Sequence, residues 1–268
     1  MNKHILAVAA VVATLIAAPA SCADDGVAYY LSLGDSLAQG YQAIGGSRGN
    51  GYHQGYADQL LKLTREPSDH LRLVKLGCGG ETTTTMLFGG SPWCGFSAGP
   101  QLAEATAFLH AHRGEVAFVT IDIGGNDVIH PDGGGVVAIQ ENLPVILAEL
   151  REAAGPRVPI VGMTYYSPTL PGIWFETHDV HAVQARVAAL VAFNDMLERI
   201  YRAAGAVVAD VEGAFSSADT TLVDGVPLDV VRLCEWTWLC AAPPHGPDIH
   251  PNTTGYGVIA EAFAAAVP

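Results

Sequence analysis

The strongest constraint on the fold is an alternation, repeated five times, of short apolar stretches with longer amphipathic ones. The apolar stretches have the length and composition of buried strands. They cover residues 29–33, 71–76, 116–123, 158–163 and 206–211. The longer stretches are predicted helices, at residues 56–64, 102–112, 136–154, 180–204 and 253–267. This order predicts an α/β fold in which a parallel sheet carries helices on both faces.

Some of the remaining sequence lacks a regular pattern. Residues 40–55 are rich in glycine and are predicted to form a loop. Residues 212–247 are predicted to be irregular. Pro144 lies inside the predicted helix at 136–154, where it indicates a kink or a restart.

Composition indicates one globular domain over residues 21–268. Half of the 268 residues are hydrophobic and 15% are charged, which argues against disorder. The sequence contains no internal repeat, low-complexity tract or linker. The net charge of −14 argues against nucleic acid and anionic membrane surfaces as partners. We expect a monomer.

The first twenty residues have the pattern of a signal peptide. A short basic start precedes an apolar run over residues 5–17, and a small-residue cleavage pattern ends at Ala20. This predicts export and cleavage, with a secreted or periplasmic mature chain. Anchoring as a lipoprotein through Cys22 is the lesser alternative, because Pro19 stands where a lipobox has leucine. No later apolar run is long enough for a membrane span.

Export makes disulfides the expected state of the other cysteines. These are Cys78, Cys94, Cys234 and Cys240, which allow three pairings. We predict the two local ones, Cys78–Cys94 and Cys234–Cys240, because each closes a short loop. A metal site with four cysteine ligands is disfavoured, since the chain has no Cys-x-x-Cys pair.

The first predicted strand runs directly into Gly34-Asp35-Ser36-Leu37. A tight turn there presents the Ser36 hydroxyl at the carboxyl end of a strand, where open α/β sheets bind their ligands. On its own this motif is weak evidence, because Asp and Ser are ordinary turn residues.

Three further segments carry unusual polar residues. They are Gly-Gly-Glu-Thr at 79–82, Gly-Gly-Asn-Asp at 124–127 and Asp-Ile-His-Pro-Asn at 248–252. The first two follow strands, so they are expected at the same sheet edge as Ser36, and the third can fold over that edge. Together they supply a hydroxyl, an imidazole and hydrogen-bond donors, which are the groups that acyl transfer needs.

In the order of these four blocks the chain resembles the SGNH hydrolases, also called the GDSL esterase/lipase family. The resemblance implies a three-layer α/β/α sandwich, flavodoxin-like, with a parallel sheet of about five strands. It implies that Ser36 is the nucleophile and His250 the general base. The N–H groups of Ser36 and Gly80 and the amide of Asn126 would form the oxyanion hole. The implied activity is hydrolysis of small-molecule or lipid carboxylic esters through an acyl-enzyme, without a cofactor.

One departure from the family pattern concerns the third catalytic residue. The family's acid stands three residues before the histidine, where this chain has Pro247, and Asp248 stands two before. Either Asp248 still reaches His250 and completes a triad, or a backbone carbonyl, with that of Pro247 as the candidate, orients the imidazole of a Ser–His dyad.

Other interpretations of single motifs are less favoured. Residues 95–99 match the Gly-x-Ser-x-Gly nucleophile elbow, but no buried strand precedes them, so we interpret Ser97 as a helix N-cap. A metal site built from Asp122, Asp127, Asp248 and His250 lacks any known ligand spacing, and no metal is predicted.

Two questions of function remain at this point. Trp236 and Trp238 alternate like strand residues. They are expected to line an acyl pocket or, as the less favoured interpretation, to fill the core beneath a loop.

Two functions are alternatives to an esterase or lipase. One is an acyltransferase that uses the same acyl-enzyme, and the other is a non-catalytic carbohydrate-binding module.

Overall fold

The computed structural model describes residues 26–43, 53–64, 70–130 and 132–268. The predicted signal peptide, residues 1–20, and Cys22 lie outside the described residues. So does most of the loop predicted at 40–55.

Five parallel strands form the central sheet, in the order β2-β1-β3-β4-β5. They are β1 (Ala28–Gly34), β2 (Leu71–Lys75), β3 (Val116–Asp122), β4 (Ile160–Met163) and β5 (Val207–Ala209). This is the strand order of flavodoxin-like folds, so the predicted fold class is confirmed. Residues of β1, β3 and β4 are largely buried, which agrees with their continuous apolar sequence.

Helices cover the sheet. The longer ones are α2 (Tyr56–Thr64), α4 (Gln101–Ala111), α6 (Gly135–Ala154), α8 (Val180–Ala203), α10 (Leu228–Trp236) and α11 (Thr253–Ala266). The shorter ones are α1 (Ser36–Gln39), α3 (Thr83–Phe88), α5 (Gly125–Ile129), α7 (Leu170–Thr177) and α9 (Val211–Ala214). Helices α2 and α11 pack together, and α6 packs against both α4 and α8. Because parallel crossovers are right-handed, these two groups lie on opposite faces of the sheet.

The chain reverses its direction of travel across the sheet between β1 and β3. These strands are neighbours, and Gly34 at the end of β1 pairs with Asp122 at the end of β3. In doubly wound sheets the crevice at such a point is the usual ligand site. Helices α1 and α5 start within three residues of the ends of β1 and β3, and α3 is the first helix after β2.

The segment predicted to be irregular, residues 212–247, is more ordered than expected. It contains the end of α9, a short antiparallel hairpin of β6 (Leu222–Val223) and β7 (Val226–Pro227), and α10. The strand-like interpretation of Trp236 was wrong, because this residue ends α10. Burial of Val230 and Leu233 against the core stabilises a helix too short for its pattern to be clear in sequence.

Helix α6 continues through Pro144 for 20 residues, so the predicted restart does not occur. Pro144 lies on the exposed side of α6, whereas Leu143, Ile146 and Leu147 on the buried side pack into the core. That burial offsets the loss of the one backbone hydrogen bond that proline cannot donate.

Both predicted disulfides are present. The first joins Cys78 to Cys94 beside the loop after β2, and the second joins Cys234 to Cys240 after α10. Disulfides of this kind persist in oxidising compartments. None of the described helices is both long enough and apolar enough to cross a bilayer.

Candidate active site

Ser36, His250 and Asp248 form one hydrogen-bonded series at the carboxyl end of β1. The Ser36 Oγ lies 2.8 Å from His250 Nε2. The His250 Nδ1 lies 2.7 Å from Asp248 Oδ1, and the same oxygen accepts from the His250 backbone N–H at 2.9 Å. The carboxylate of Asp248, and not the Pro247 carbonyl, therefore contacts the imidazole.

The protonation of this series follows from Asp248. Burial opposes its charge, but hydrogen bonds and the electrostatic attraction of His250 outweigh burial and lower the pKa of Asp248 below its ordinary value. A carboxylate can only accept hydrogen bonds, so the His250 Nδ1 carries a hydrogen and Nε2 is left to accept from the Ser36 hydroxyl. This is the tautomer that a general base requires.

A short antiparallel pairing orients the Asp248–His250 segment. The Trp238 N–H donates to the His250 carbonyl at 3.0 Å, and the Asp248 N–H donates to the Trp238 carbonyl at 3.1 Å. Further along, the Asn252 N–H donates to the Trp236 carbonyl at 2.9 Å. The second disulfide closes the loop that contains both tryptophans, so it supports the strand-like segment on which the catalytic backbone rests.

Ser36 is the first residue of α1, and Asp35 is its N-cap. The Asp35 side chain accepts from the Leu37 N–H at 2.8 Å, which is the usual N-cap contact. Within the part of the chain that the structure describes, the Ser36 N–H has no acceptor. It is therefore available to donate to a bound group.

The backbone before the nucleophile is held from both sides. Gly34 has φ +131°, and a Cβ there would lie 2.0 Å from the Asp122 carbonyl oxygen, so only glycine fits. The Gly34 N–H donates to Gln101 Oε1 at 2.8 Å, and Gln101 Nε2 donates to the Gly34 carbonyl at 2.9 Å. Gln101 was not identified from sequence, because its position at the start of an amphipathic helix gives no signal of this role.

The two other predicted oxyanion donors lie on neighbouring loops. Asn126 is buried in the first turn of α5, and its amide donates to the Glu81 carbonyl at 3.0 Å, which leaves a second N–H free. Gly80 precedes Glu81, and its N–H has no acceptor among the described residues. Its φ of +72° favours glycine, and a Cβ would come within 3.2 Å of the Trp93 indole.

Asp127 links these two loops. Its carboxylate accepts from the Thr83 backbone N–H at 2.9 Å and from the Thr83 hydroxyl. The second acid of Gly-Gly-Asn-Asp thus fixes the start of α3 against α5. Across the described ranges, no group of three or more His, Cys, Asp or Glu side chains has the arrangement of a metal site.

A second carboxyl, Asp122, is fully buried behind the nucleophile turn. Its Oδ1 accepts from the Tyr56 hydroxyl at 2.6 Å, and its Oδ2 lies 3.3 Å from the Asp35 backbone nitrogen. Burial, followed by the negative charge of Asp35, raises the pKa of Asp122 well above its ordinary value. An acid at the end of an otherwise apolar strand was a visible signal in the sequence.

We expect Asp122→Asn to reduce the pH dependence of folding stability. Because its folded-state pKa is raised, Asp122 stabilises the protein below its unfolded pKa of about 4, and that contribution is lost as the pH rises. The unfolding free energy should therefore fall less between about pH 5 and pH 8 in the variant than in the wild type. Urea titrations at both pH values measure it, with the exposed Asp224→Asn as control; an unchanged fall would contradict the prediction.

Two tyrosines hold the His250 segment, and neither was identified from sequence. The Tyr166 hydroxyl donates to the Ile249 carbonyl at 2.7 Å, between the two catalytic candidates. The Tyr41 ring packs on the His250 imidazole, with centroids 4.5 Å apart. Both contacts join parts of the chain that are far apart in sequence.

A pocket of about 250 Å³ opens beside this site. Ser36, Asn126 and His250 lie in its wall. Gly80 is not one of the lining residues, and it is adjacent to Glu81, whose carbonyl accepts from the Asn126 amide. The remaining wall is mostly apolar, from Leu37, Val128, Ile129, Val136, Tyr165, Tyr166, Pro168, Ala189, Leu190, Phe193 and Ile249. Such a surface suits the apolar part of an ester.

Trp236 and Trp238 do not line this pocket, so the favoured interpretation of the pair was wrong. Trp236 packs edge-on against Phe215 in the core, and Trp238 lies near His245. Their place in the fold is set by α10 and by the pairing with residues 248–252.

Ser97 of the elbow-like motif is engaged elsewhere. Its hydroxyl donates to the Glu104 carboxylate at 2.9 Å. It is not the predicted N-cap, because α4 begins at Gln101 and its N-cap is Pro100.

A parallel α/β protein with a hydroxyl, an imidazole and a carboxylate in series at the carboxyl edge of its sheet has the form of a serine hydrolase. The profile of the GDSL-like Lipase/Acylhydrolase family matches residues 32–258, so the chain belongs to this family. This confirms the resemblance found in the sequence. The chain is accordingly a carboxylic ester hydrolase.

Solved structures with the same fold share few residues with this chain. The acetylxylan esterase Axe2 from Geobacillus stearothermophilus is 18% identical over 89% of this chain and 93% of its own, with a TM-score of 0.52. The extracellular lipase of Streptomyces rimosus is 19% identical over 90% of this chain and 100% of its own, with a TM-score of 0.54. TesA is 18% identical over 88% and 95%, with a TM-score of 0.50. A search of curated proteins found no match.

Proposed function

We propose that the protein is an exported serine esterase or lipase that cleaves carboxylic esters through an acyl-enzyme on Ser36. The observation that carries this proposal is the hydrogen-bonded series from Ser36 Oγ to His250 Nε2, at 2.8 Å, and from His250 Nδ1 to Asp248 Oδ1, at 2.7 Å. These lengths lie within the range needed for proton transfer.

In the first half-reaction, His250 Nε2 takes the hydroxyl proton while Ser36 Oγ attacks the ester carbonyl. The negative oxygen of the tetrahedral intermediate accepts from the Ser36 and Gly80 N–H groups and the Asn126 amide. His250 then gives its proton to the departing alkoxide, and an alcohol leaves. Between these two proton transfers both ring nitrogens of His250 are protonated, and the Asp248 carboxylate stabilises the resulting imidazolium.

In the second half-reaction, His250 removes a proton from water, and the hydroxide oxygen attacks the acyl carbonyl. The intermediate collapses, Ser36 regains the proton, and a carboxylic acid leaves. No cofactor enters either half-reaction. The same acyl-enzyme transfers its acyl group to an alcohol when one replaces water, so added alcohol should divert part of the product.

The apolar pocket supports an acyl or alkyl group as the part of the ester that enters it. We expect kcat/KM on p-nitrophenyl esters to rise from acetate to longer chains and to fall once the chain exceeds the pocket. A panel of p-nitrophenyl acetate, butyrate, hexanoate, octanoate and decanoate measures this. Absence of hydrolysis across the panel, by a folded protein, would contradict the proposed function.

Export is supported by the sequence pattern over residues 1–20 and by the two disulfides, which suit an oxidising compartment. We expect the mature chain to begin at Ser21. An intact mass of the protein recovered outside the cytoplasm tests this, and a mass that retains the first twenty residues would contradict it.

A further inference from the structure

One face of α8 forms a wall of the pocket. Arg186, Ala189, Leu190 and Phe193 all lie in the lining, at the spacing that places residues on one side of a helix. Arg186 and Phe193 are two turns apart, about 10 Å along the helix axis. The wall is therefore apolar at one end and cationic at the other.

The apolar end lies beside the catalytic residues. The Phe193 ring is 6.0 Å from the Tyr165 ring, centroid to centroid. Tyr165 in turn lies against Gly125, where a Cβ would come within 3.0 Å of its ring, next to Asn126. Along α8, Arg186 therefore lies two turns away from the part of the pocket wall that adjoins Asn126.

A hydrogen-bonded relay holds the cationic end. The Arg186 Nε donates to Thr169 Oγ1 at 2.9 Å, and Thr169 Oγ1 lies 3.1 Å from Ser167 Oγ. Either hydroxyl of the Ser167–Thr169 pair can be the donor, because a hydroxyl oxygen can accept two hydrogen bonds. Ser167 is only 2% exposed and also lines the pocket, and its hydroxyl can donate to a ligand when Thr169 is the donor of the pair.

Charge at this end is unbalanced. Among the residues that the structure describes, no carboxylate forms an ion pair with Arg186, although the chain carries a net charge of −14. The guanidinium keeps its remaining N–H groups for a ligand, next to the Ser167 hydroxyl. A guanidinium with N–H groups available, close to a hydroxyl that can donate, is complementary to a carboxylate or another oxyanion.

We propose that the part of the ester that enters this pocket carries a carboxylate at its far end, bound by Arg186 and Ser167. The proposal rests on the proposed function and names its substrate class: esters with an apolar chain and a terminal anion. The carboxylate can belong to the acyl group, as in a half-ester of a dicarboxylic acid, or to the alcohol, as in an acylated hydroxy acid.

The test uses two pairs of esters that differ only in a terminal carboxylate. One pair is p-nitrophenyl hexanoate and mono-p-nitrophenyl adipate; the other is hexyl acetate and the acetate ester of 6-hydroxyhexanoate. We expect Arg186→Gln to lower kcat/KM for the anionic member of one pair by about tenfold, or ~1.4 kcal/mol, and to change its neutral partner less than about twofold. The affected pair identifies the side of the ester that carries the charge.

The controls separate a binding role from a structural one. Arg199→Gln removes a charge from the same helix at an exposed site outside this pocket. In this variant the ratio of kcat/KM for the anionic ester to kcat/KM for its neutral partner should be unchanged in both pairs. Raising the salt concentration should reduce the wild-type preference for the anionic ester, because Arg186 is exposed to solvent. Ser167→Ala should lower the same ratio by less than Arg186→Gln does.

Equal losses on both members of each pair, or no change on either, would overturn the proposal while leaving the esterase activity in place. A wild-type protein that hydrolyses none of the four esters and does not react at Ser36 with an organophosphonate would instead refute the proposed function, and the substrate class with it.

Discussion

Replacing Ser36 with alanine is expected to lower kcat/KM for p-nitrophenyl butyrate by at least ~10⁴-fold. The variant loses the hydroxyl oxygen that lies 2.8 Å from His250 Nε2, so no acyl-enzyme can form at this position. The fold should survive, because among the described residues the Ser36 side chain hydrogen-bonds to His250 alone. Circular dichroism and thermal unfolding of the variant check this.

The matched control is Ser97→Ala, in the chain's elbow-like motif. Ser97 is exposed and bonded to Glu104, so its loss should change kcat/KM less than about twofold. An organophosphonate should add one adduct to the wild type and to Ser97→Ala and none to Ser36→Ala, as read by intact mass. Labelling of Ser36→Ala with retained activity would place the nucleophile elsewhere.

The second large effect is expected from Asp248→Asn, with a loss of several hundred-fold in kcat. An amide cannot stabilise the imidazolium as a carboxylate does. Its NH₂ group also favours a hydrogen on Nε2 in place of Nδ1, so His250 can no longer accept from Ser36. The effect should fall on kcat rather than on KM, since Asp248 does not line the substrate pocket.

The outcome discriminates between the two interpretations of the shifted motif. A loss below about tenfold would mean that a carbonyl orients His250 and that the site works as a dyad. Asp224→Asn is the control, because it makes the same chemical change in an exposed turn, where asparagine also tolerates the φ of +50°. Its kcat should match that of the wild type.

The architecture was largely accessible from local sequence. Strand β1 ends in Gly34, β3 ends before Gly124-Gly125, and both are largely apolar over seven residues, so their strand character does not depend on distant partners. The order of the four polar blocks then places Ser36, Asn126 and His250 at one edge of a parallel sheet. The structure brings Ser36 and His250 into contact and puts Asn126 in the same pocket wall.

Other features depend on contacts that local sequence does not encode. The direction of the Asp248 carboxylate is set by backbone pairing of residues 248–252 with residues 236–238. The helix α10 forms because its apolar residues meet the core, so Trp236 ends a helix where a strand was expected. Neither outcome follows from residue spacing alone.

The amino-acid sequence by itself determines the sheet, the helices around it and the sheet edge at which a nucleophile can lie. The reason is that backbone preferences and apolar periodicity act over a few residues. The tertiary structure alone decides which side chains hydrogen-bond around the site. Gln101 bonds to Gly34, Tyr166 bonds to Ile249, and Arg186 is joined through Thr169 to Ser167. The contacts of Gln101 with Gly34, Tyr166 with Ile249 and Arg186 with Thr169 join residues 67, 83 and 17 positions apart. Their geometry depends on how whole helices pack, and so it cannot be derived from any single stretch of the chain.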